Sequence, residues 1–76
     1  MTQEKNVAQV VKYASNQFSL RFRTSEDYDH AVHINNENYH LPVATENVSP
    51  LEIVFDTSVD LETLVRHFEL SFKLEI

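Results

Sequence analysis

Between Leu51 and Ile76 the apolar periodicity switches from a period of two to about 3.6 and back. No other feature of the chain restricts the fold as much. In Leu51-Glu52-Ile53-Val54-Phe55, the residues Leu51, Ile53 and Phe55 share one face of a strand, and Val54 points to the other. Leu61, Leu64, Val65 and Phe68 then recur at i, i+3, i+4 and i+7, a single apolar stripe on a helix over 58–68. Thr57, with Asp60 three residues on, suggests the N-cap, and Ser58 is a rival for it. Asp60 and Glu62 near the start, with Arg66 and His67 near the end, suit the helix dipole. From Glu69 to Ile76 the alternation returns, with Leu70, Phe72, Leu74 and Ile76 facing in. If the two strands are neighbours, they are parallel, with a right-handed crossover; they can also lie apart in the sheet.

The chain contains no glycine, although average usage of roughly 7% would place about five in a chain of this length. Gly-rich phosphate loops, dinucleotide fingerprints and the usual nucleophile elbow are therefore excluded. Left-handed backbone positions then fall to asparagine, and Asn16, Asn35, Asn36, Asn38 and Asn47 all lie where turns are expected. Cysteine is also absent, which removes disulfides, thiolate nucleophiles and Cys-based zinc sites. No apolar run approaches the ~20 residues of a membrane span, and the polar start lacks the apolar core of a signal peptide. A cytoplasmic protein is the expectation.

With 76 residues the chain is a single domain, in which every large apolar side chain matters, because such a domain buries only about 60% of its unfolded surface. Residues 1–6 read as loose. Two readings of Val7–Ala14 stay open. One is a helix capped by Thr2, with Val7, Val10, Val11 and Ala14 as its stripe. The other is a strand turning at Ser15-Asn16, with Tyr13 opposite Phe18 and Val11 opposite Leu20. Gln17–Arg23 is a strand with Phe18, Leu20 and Phe22 inward and Ser19, Arg21 and Arg23 outward. Thr24–Asp29 reads as a loop or one helical turn. Ala31–Ile34 and Tyr39–Val43 read as a hairpin around Asn36-Glu37, with His33 opposite His40 and Pro42 near an edge or strand end. Ala44–Pro50 is a loop. The expected fold is α+β: a two-layer sandwich with a mostly antiparallel sheet of four to five strands, the helix at 58–68 on one face, and a second helix at the N-terminus as the open alternative.

Chemistry is sparse. His33 and His40 as a cross-strand pair supply two metal ligands, fewer than the three or four that zinc sites use, and His30 would point to the opposite face. No metal or other cofactor is expected. Asp56 and Asp60 border a helix start, where acids act as caps, and a substrate pocket would consume much of so small a core. A catalyst is not expected. Direct nucleic-acid binding is disfavoured by the net charge of −6, and the only paired basic residues, Arg21 and Arg23, face away from the aromatic side of their strand.

Charge is the informative feature. Between Arg23 and Arg66 lie nine acids and no Lys or Arg: Glu26, Asp27, Asp29, Glu37, Glu46, Glu52, Asp56, Asp60 and Glu62. All six basic residues share the end segments with Glu4, Glu69 and Glu75, so the middle carries −9 and the ends +3. Such a field attracts a basic partner and repels nucleic acid; acidity also serves solubility alone. The expected contact residues are Glu26, Asp27 and Asp29, with Tyr28 among them as an aromatic anchor, followed by Glu37 and Glu46. Small acidic inhibitors of nucleic-acid enzymes, including phage-encoded antagonists of host defence and nuclease immunity proteins, are similar to the chain in size and charge. The leading expectation is a non-enzymatic inhibitor or modulator of a basic nucleic-acid-handling protein. The alternative is a small homodimeric or accessory structural subunit, supported by free sheet edges and by Val54 on the outer face.

Overall fold

The computed structural model describes residues 5–76. It is an α+β fold with a five-stranded, mostly antiparallel sheet. Its elements are β1 (Asn6–Ala14), β2 (Gln17–Phe22), α1 (Ser25–Ile34), a π-helical segment (Asn35–Tyr39), β3 (Val43–Val48), β4 (Leu51–Phe55), α2 (Leu61–Phe68) and β5 (Phe72–Glu75). The strand order is β3-β4-β2-β1-β5. β5 joins β1 in parallel and every other neighbour pair is antiparallel. β4 and β5 therefore lie apart, with β2 and β1 between them. No described helix is long and apolar enough to cross a membrane.

The first hairpin decides which residues reach the core. Val7–Ala14 is strand, not helix, and the proposed cap Thr2 lies outside the described residues. Asn6 already belongs to β1, and Lys5 Nζ donates to the Glu69 carbonyl at 2.8 Å, so these two residues are tied down rather than loose. The turn falls at Ser15-Asn16 as expected, but a bulge between Lys12 and Ala14 shifts the register by one, giving Val10↔Leu20 and Lys12↔Phe18. A one-residue slip exchanges the two faces of a strand. Ala8 and Val10 therefore enter the core, Val7 and Val11 turn to the opposite face, and Tyr13 sits in the bulge, exposed.

One continuous cluster joins Ala8, Val10, Leu20, Phe22, Ile53, Phe55 and Phe72 of the sheet to Tyr28, Ala31 and Ile34 of α1 and Leu64 and Phe68 of α2. The ring of Phe68 lies 5.6 Å from Phe55 and 5.2 Å from Tyr39. Leu70 and Ile76, expected to face in, are exposed, because β5 spans only Phe72–Glu75. α2 begins after Asp60, whose carboxylate accepts the Thr63 N–H at 2.8 Å, so Asp60 rather than Thr57 or Ser58 is the cap. The preceding residues form a turn in which the Asp56 carboxylate accepts from Ser58 and Val59 is buried.

The hairpin expected over Ala31–Val43 does not form. Ala31–Ile34 is the end of α1, and Tyr39 closes the π-helical segment. The Asn35 side chain clamps this segment: its Nδ2 donates to the Leu41 carbonyl and its Oδ1 accepts the Leu41 N–H, both at 3.0 Å. The left-handed position among the described residues falls to His40 (φ 55°), not to an asparagine. A glycine there relieves the Cβ clash, so His40→Gly is expected to stabilise the fold by about 0.5–1 kcal/mol. A rise in the urea midpoint checks this. The region read as a loop over Ala44–Pro50 is largely β3, an edge strand paired with β4 and bulged between Val43 and Thr45.

Candidate interaction surface

Thr24 starts α1. Its extended backbone and its Oγ1, which accepts the Asp27 N–H at 3.1 Å, form an N-cap, and Glu26 and Asp27 complement the dipole in the first turn. The segment read as a loop or one helical turn is thus the cap and start of a ten-residue helix. Asp27, Tyr28, Ala31 and Ile34 are buried, and Glu26, Asp29, His30 and His33 are exposed.

This helix separates the expected contact residues. Glu26 and Asp29 are exposed, as are Glu37 in the π-helical segment and Glu46 on β3. Asp27 is not a surface group: it is 8% exposed, and its Oδ1 accepts from Asn6 Nδ2 at 2.7 Å, tying β1 to α1. Tyr28 is no exposed anchor either. Its ring stands edge-on to Phe22, with centroids 6.1 Å apart, inside the core. Burial raises the Tyr28 phenol, and the charges of Glu46 and Asp29 raise it further. Glu26, Asp27 and His30 line an open groove of about 500 Å³ with Lys5, Asn6, Ser71 and Phe72.

The histidines do not meet as a cross-strand pair. His33 lies on α1 and His40 follows the π-helical segment. His30 packs on Phe72, with centroids 5.7 Å apart. Among the described residues no group of three or more His, Asp or Glu side chains is placed to hold a metal ion.

The sheet face opposite the core cluster carries a polar arrangement that strand-by-strand reading misses. In register, Glu75, Gln9, Arg21, Glu52 and Asn47 form one rung across all five strands. Glu52 is only 3% exposed. Its Oε2 accepts from Ser19 Oγ and from Arg21 Nε, each at 2.9 Å, and its Oε1 accepts from Asn47 Nδ2 at 3.2 Å. Burial pushes the Glu52 carboxyl up, but the hydrogen bonds from Arg21, Ser19 and Asn47 and the Arg21 charge outweigh it and hold the group below the usual glutamate range. Outward placement of Ser19 and Arg21 on β2 was legible; their convergence on Glu52 depends on β2 pairing with β4.

The fold also sorts charge. Lys73 and Arg21 share the rung face with Glu75 and the buried Glu52, and Arg23 follows in the bend after β2. Glu26, Asp29, Glu37 and Glu62 are exposed on the helical segments, where Arg66 is paired with Glu62 at 2.9 Å. Compared with known protein families, curated proteins and solved structures, the chain matches none of them.

Proposed function

We propose that this chain is a non-enzymatic binding protein that docks its acidic helical face on the basic nucleic-acid-binding surface of a protein partner, and so inhibits or modulates it. An antagonist of host defence or a nuclease inhibitor is the kind of protein meant. The supporting observation is the placement of charge: Glu26, Asp29 and Glu37 are exposed along α1 and the segment that follows it, and Arg21 lies on the sheet face opposite the core cluster. Rigidly spaced carboxylates can occupy the Lys and Arg sites that otherwise hold phosphates. Their field speeds encounter, and the bulk of the domain then excludes the nucleic acid.

The test is capture of partners by the tagged protein at low and high salt, followed by mass spectrometry. Recovery of a basic nucleic-acid-handling protein that is lost at high salt supports the reading. The triple variant Glu26→Ser, Asp29→Ser, Glu37→Ser is expected to slow association with that partner by about tenfold or more at low salt, with stability changed by no more than about 0.5 kcal/mol. Asp27 is spared because its carboxylate holds Asn6. Unchanged association sinks the acidic-face reading.

A second reading, a homodimeric or accessory structural subunit, draws on the edge position of β3, whose outer side is unpaired among the described residues. Val54 no longer supports it: the side chain is completely buried within the single chain and offers a partner nothing. A salt-resistant complex or self-association would favour this alternative.

A further inference from the structure

We infer that the sheet face opposite the core cluster holds an oxyanion site, built on Arg21 and Arg23, for a small molecule bearing one carboxylate or phosphate group. The inference rests on different residues from the acidic face.

The argument starts from Glu52. A carboxylate is costly to bury unless it is fully bonded, and here three donors satisfy it. One result is a fixed guanidinium. Arg21 meets Glu52 through Nε, and among the described residues its two terminal nitrogens make no hydrogen bond. Five N–H groups in a rigid fork leave four for an external acceptor. A free surface arginine loses rotamer entropy when it captures a ligand; one already anchored through Nε loses less. Its side chain remains 46% exposed, so the fork is accessible.

Arg23 follows two residues on, in the bend just past the end of β2, and lines the same depression as Arg21. Among the described residues it takes part in no ion pair or side-chain hydrogen bond. A depression of about 240 Å³ lies here, lined by Val7, Gln9, Arg21, Phe22, Arg23 and Glu75. Gln9 stands directly across from Arg21 and can add an amide donor. Val7 supplies a small apolar wall. Glu75, opposite Gln9 on β5, opposes multiply charged ligands. The chain's net charge of −6 repels polyanions, which restricts the occupant to a small molecule. The bidentate fork of arginine suits both carboxylate and phosphate oxygens.

The experiment is a titration of ¹⁵N-labelled protein, at constant ionic strength, with sodium phosphate and separately with sodium acetate, read by NMR. Saturable shifts are expected at Arg21 Nε and at the amides of Gln9, Phe22 and Arg23, and the anion that saturates at lower concentration identifies the preferred group. Arg23→Gln, which leaves the Glu52 network intact, is expected to weaken that binding at least fivefold with no change in the unfolding midpoint. Shifts that fail to saturate with either anion, that centre on Lys5 and Lys12, or that survive Arg23→Gln overturn the site.

Discussion

Replacing Phe68 with alanine is expected to destabilise the fold by about 3–5 kcal/mol, the range for a large aromatic side chain deleted from a packed core. Phe68 has no exposed surface and packs against Phe55 of β4 and Tyr39 of the π-helical segment. Its removal therefore opens a cavity where α2, the sheet and that segment meet. A typical stability of roughly 0.05–0.15 kcal/mol per residue gives a chain of 76 residues about 4–11 kcal/mol in total. A loss of this size thus consumes much or all of the stability. Urea denaturation followed by circular dichroism is the check, with Leu70→Ala as the control. Leu70 is 68% exposed, and its truncation is expected to stay within about 0.5 kcal/mol. Equal effects at the two positions would mean that Phe68 is not a core residue.

The second large effect is expected at Glu52. Glu52→Ala leaves the Ser19 hydroxyl without its acceptor on a side chain that has no exposed surface, which costs about 1–3 kcal/mol. Arg21 is half-exposed and rehydrates, so it adds little. Arg21→Ala should cost at least as much, because it removes the only cationic partner of a carboxylate that stays buried, although Ser19 and Asn47 keep their bonds to it. The same network sets the acid response. Glu52 is held below its ordinary value by its donors, Asp56 by the N–H and side chain of Ser58, and Asp60 by the Thr63 side chain and N–H. Groups depressed in the folded state stabilise it fully above their ordinary values, 4.5 for glutamate and 3.8 for aspartate, and lose that contribution as pH falls through the folded values. The protein is expected to lose stability as the pH drops below about 4.5, and Glu52→Gln to flatten the upper part of that loss. An unaltered acid profile in Glu52→Gln would show that another carboxylate governs it.

Local periodicity carried some elements and misled at others. β4 and the stripe of α2 were legible because each obeys a single period over its length. The register of β1 was not, since a bulge is set by the pairing of two strands and leaves no mark on either alone. α1 was misread because Ala31-Val32-His33-Ile34 alternates as a strand would. The competing signal, Tyr28, Ala31, Val32 and Asn35 at i, i+3, i+4 and i+7 behind a Thr24 cap, was present. β3 is polar and lies at an edge, so its face pattern is weak. Of the expected contact residues, Glu26, Asp29, Glu37 and Glu46 are on the surface, whereas Asp27 and Tyr28 were absorbed by packing that only the helix reveals. The Glu52 network joins β2, β3 and β4, and so depends on strand order.

The parallel pairing of Asn6–Gln9 with Phe72–Glu75 gives the domain a mechanical character. Tension applied through residues 6 and 75 pulls the two strands along their common axis in opposite senses. The hydrogen bonds of that ladder are then loaded together in shear, and none can open ahead of the rest as in a zipper. A domain strung in this way between two attachment points resists stretching far better than one whose terminal strands run antiparallel, and its lifetime under load is set by the rate of that one concerted rupture.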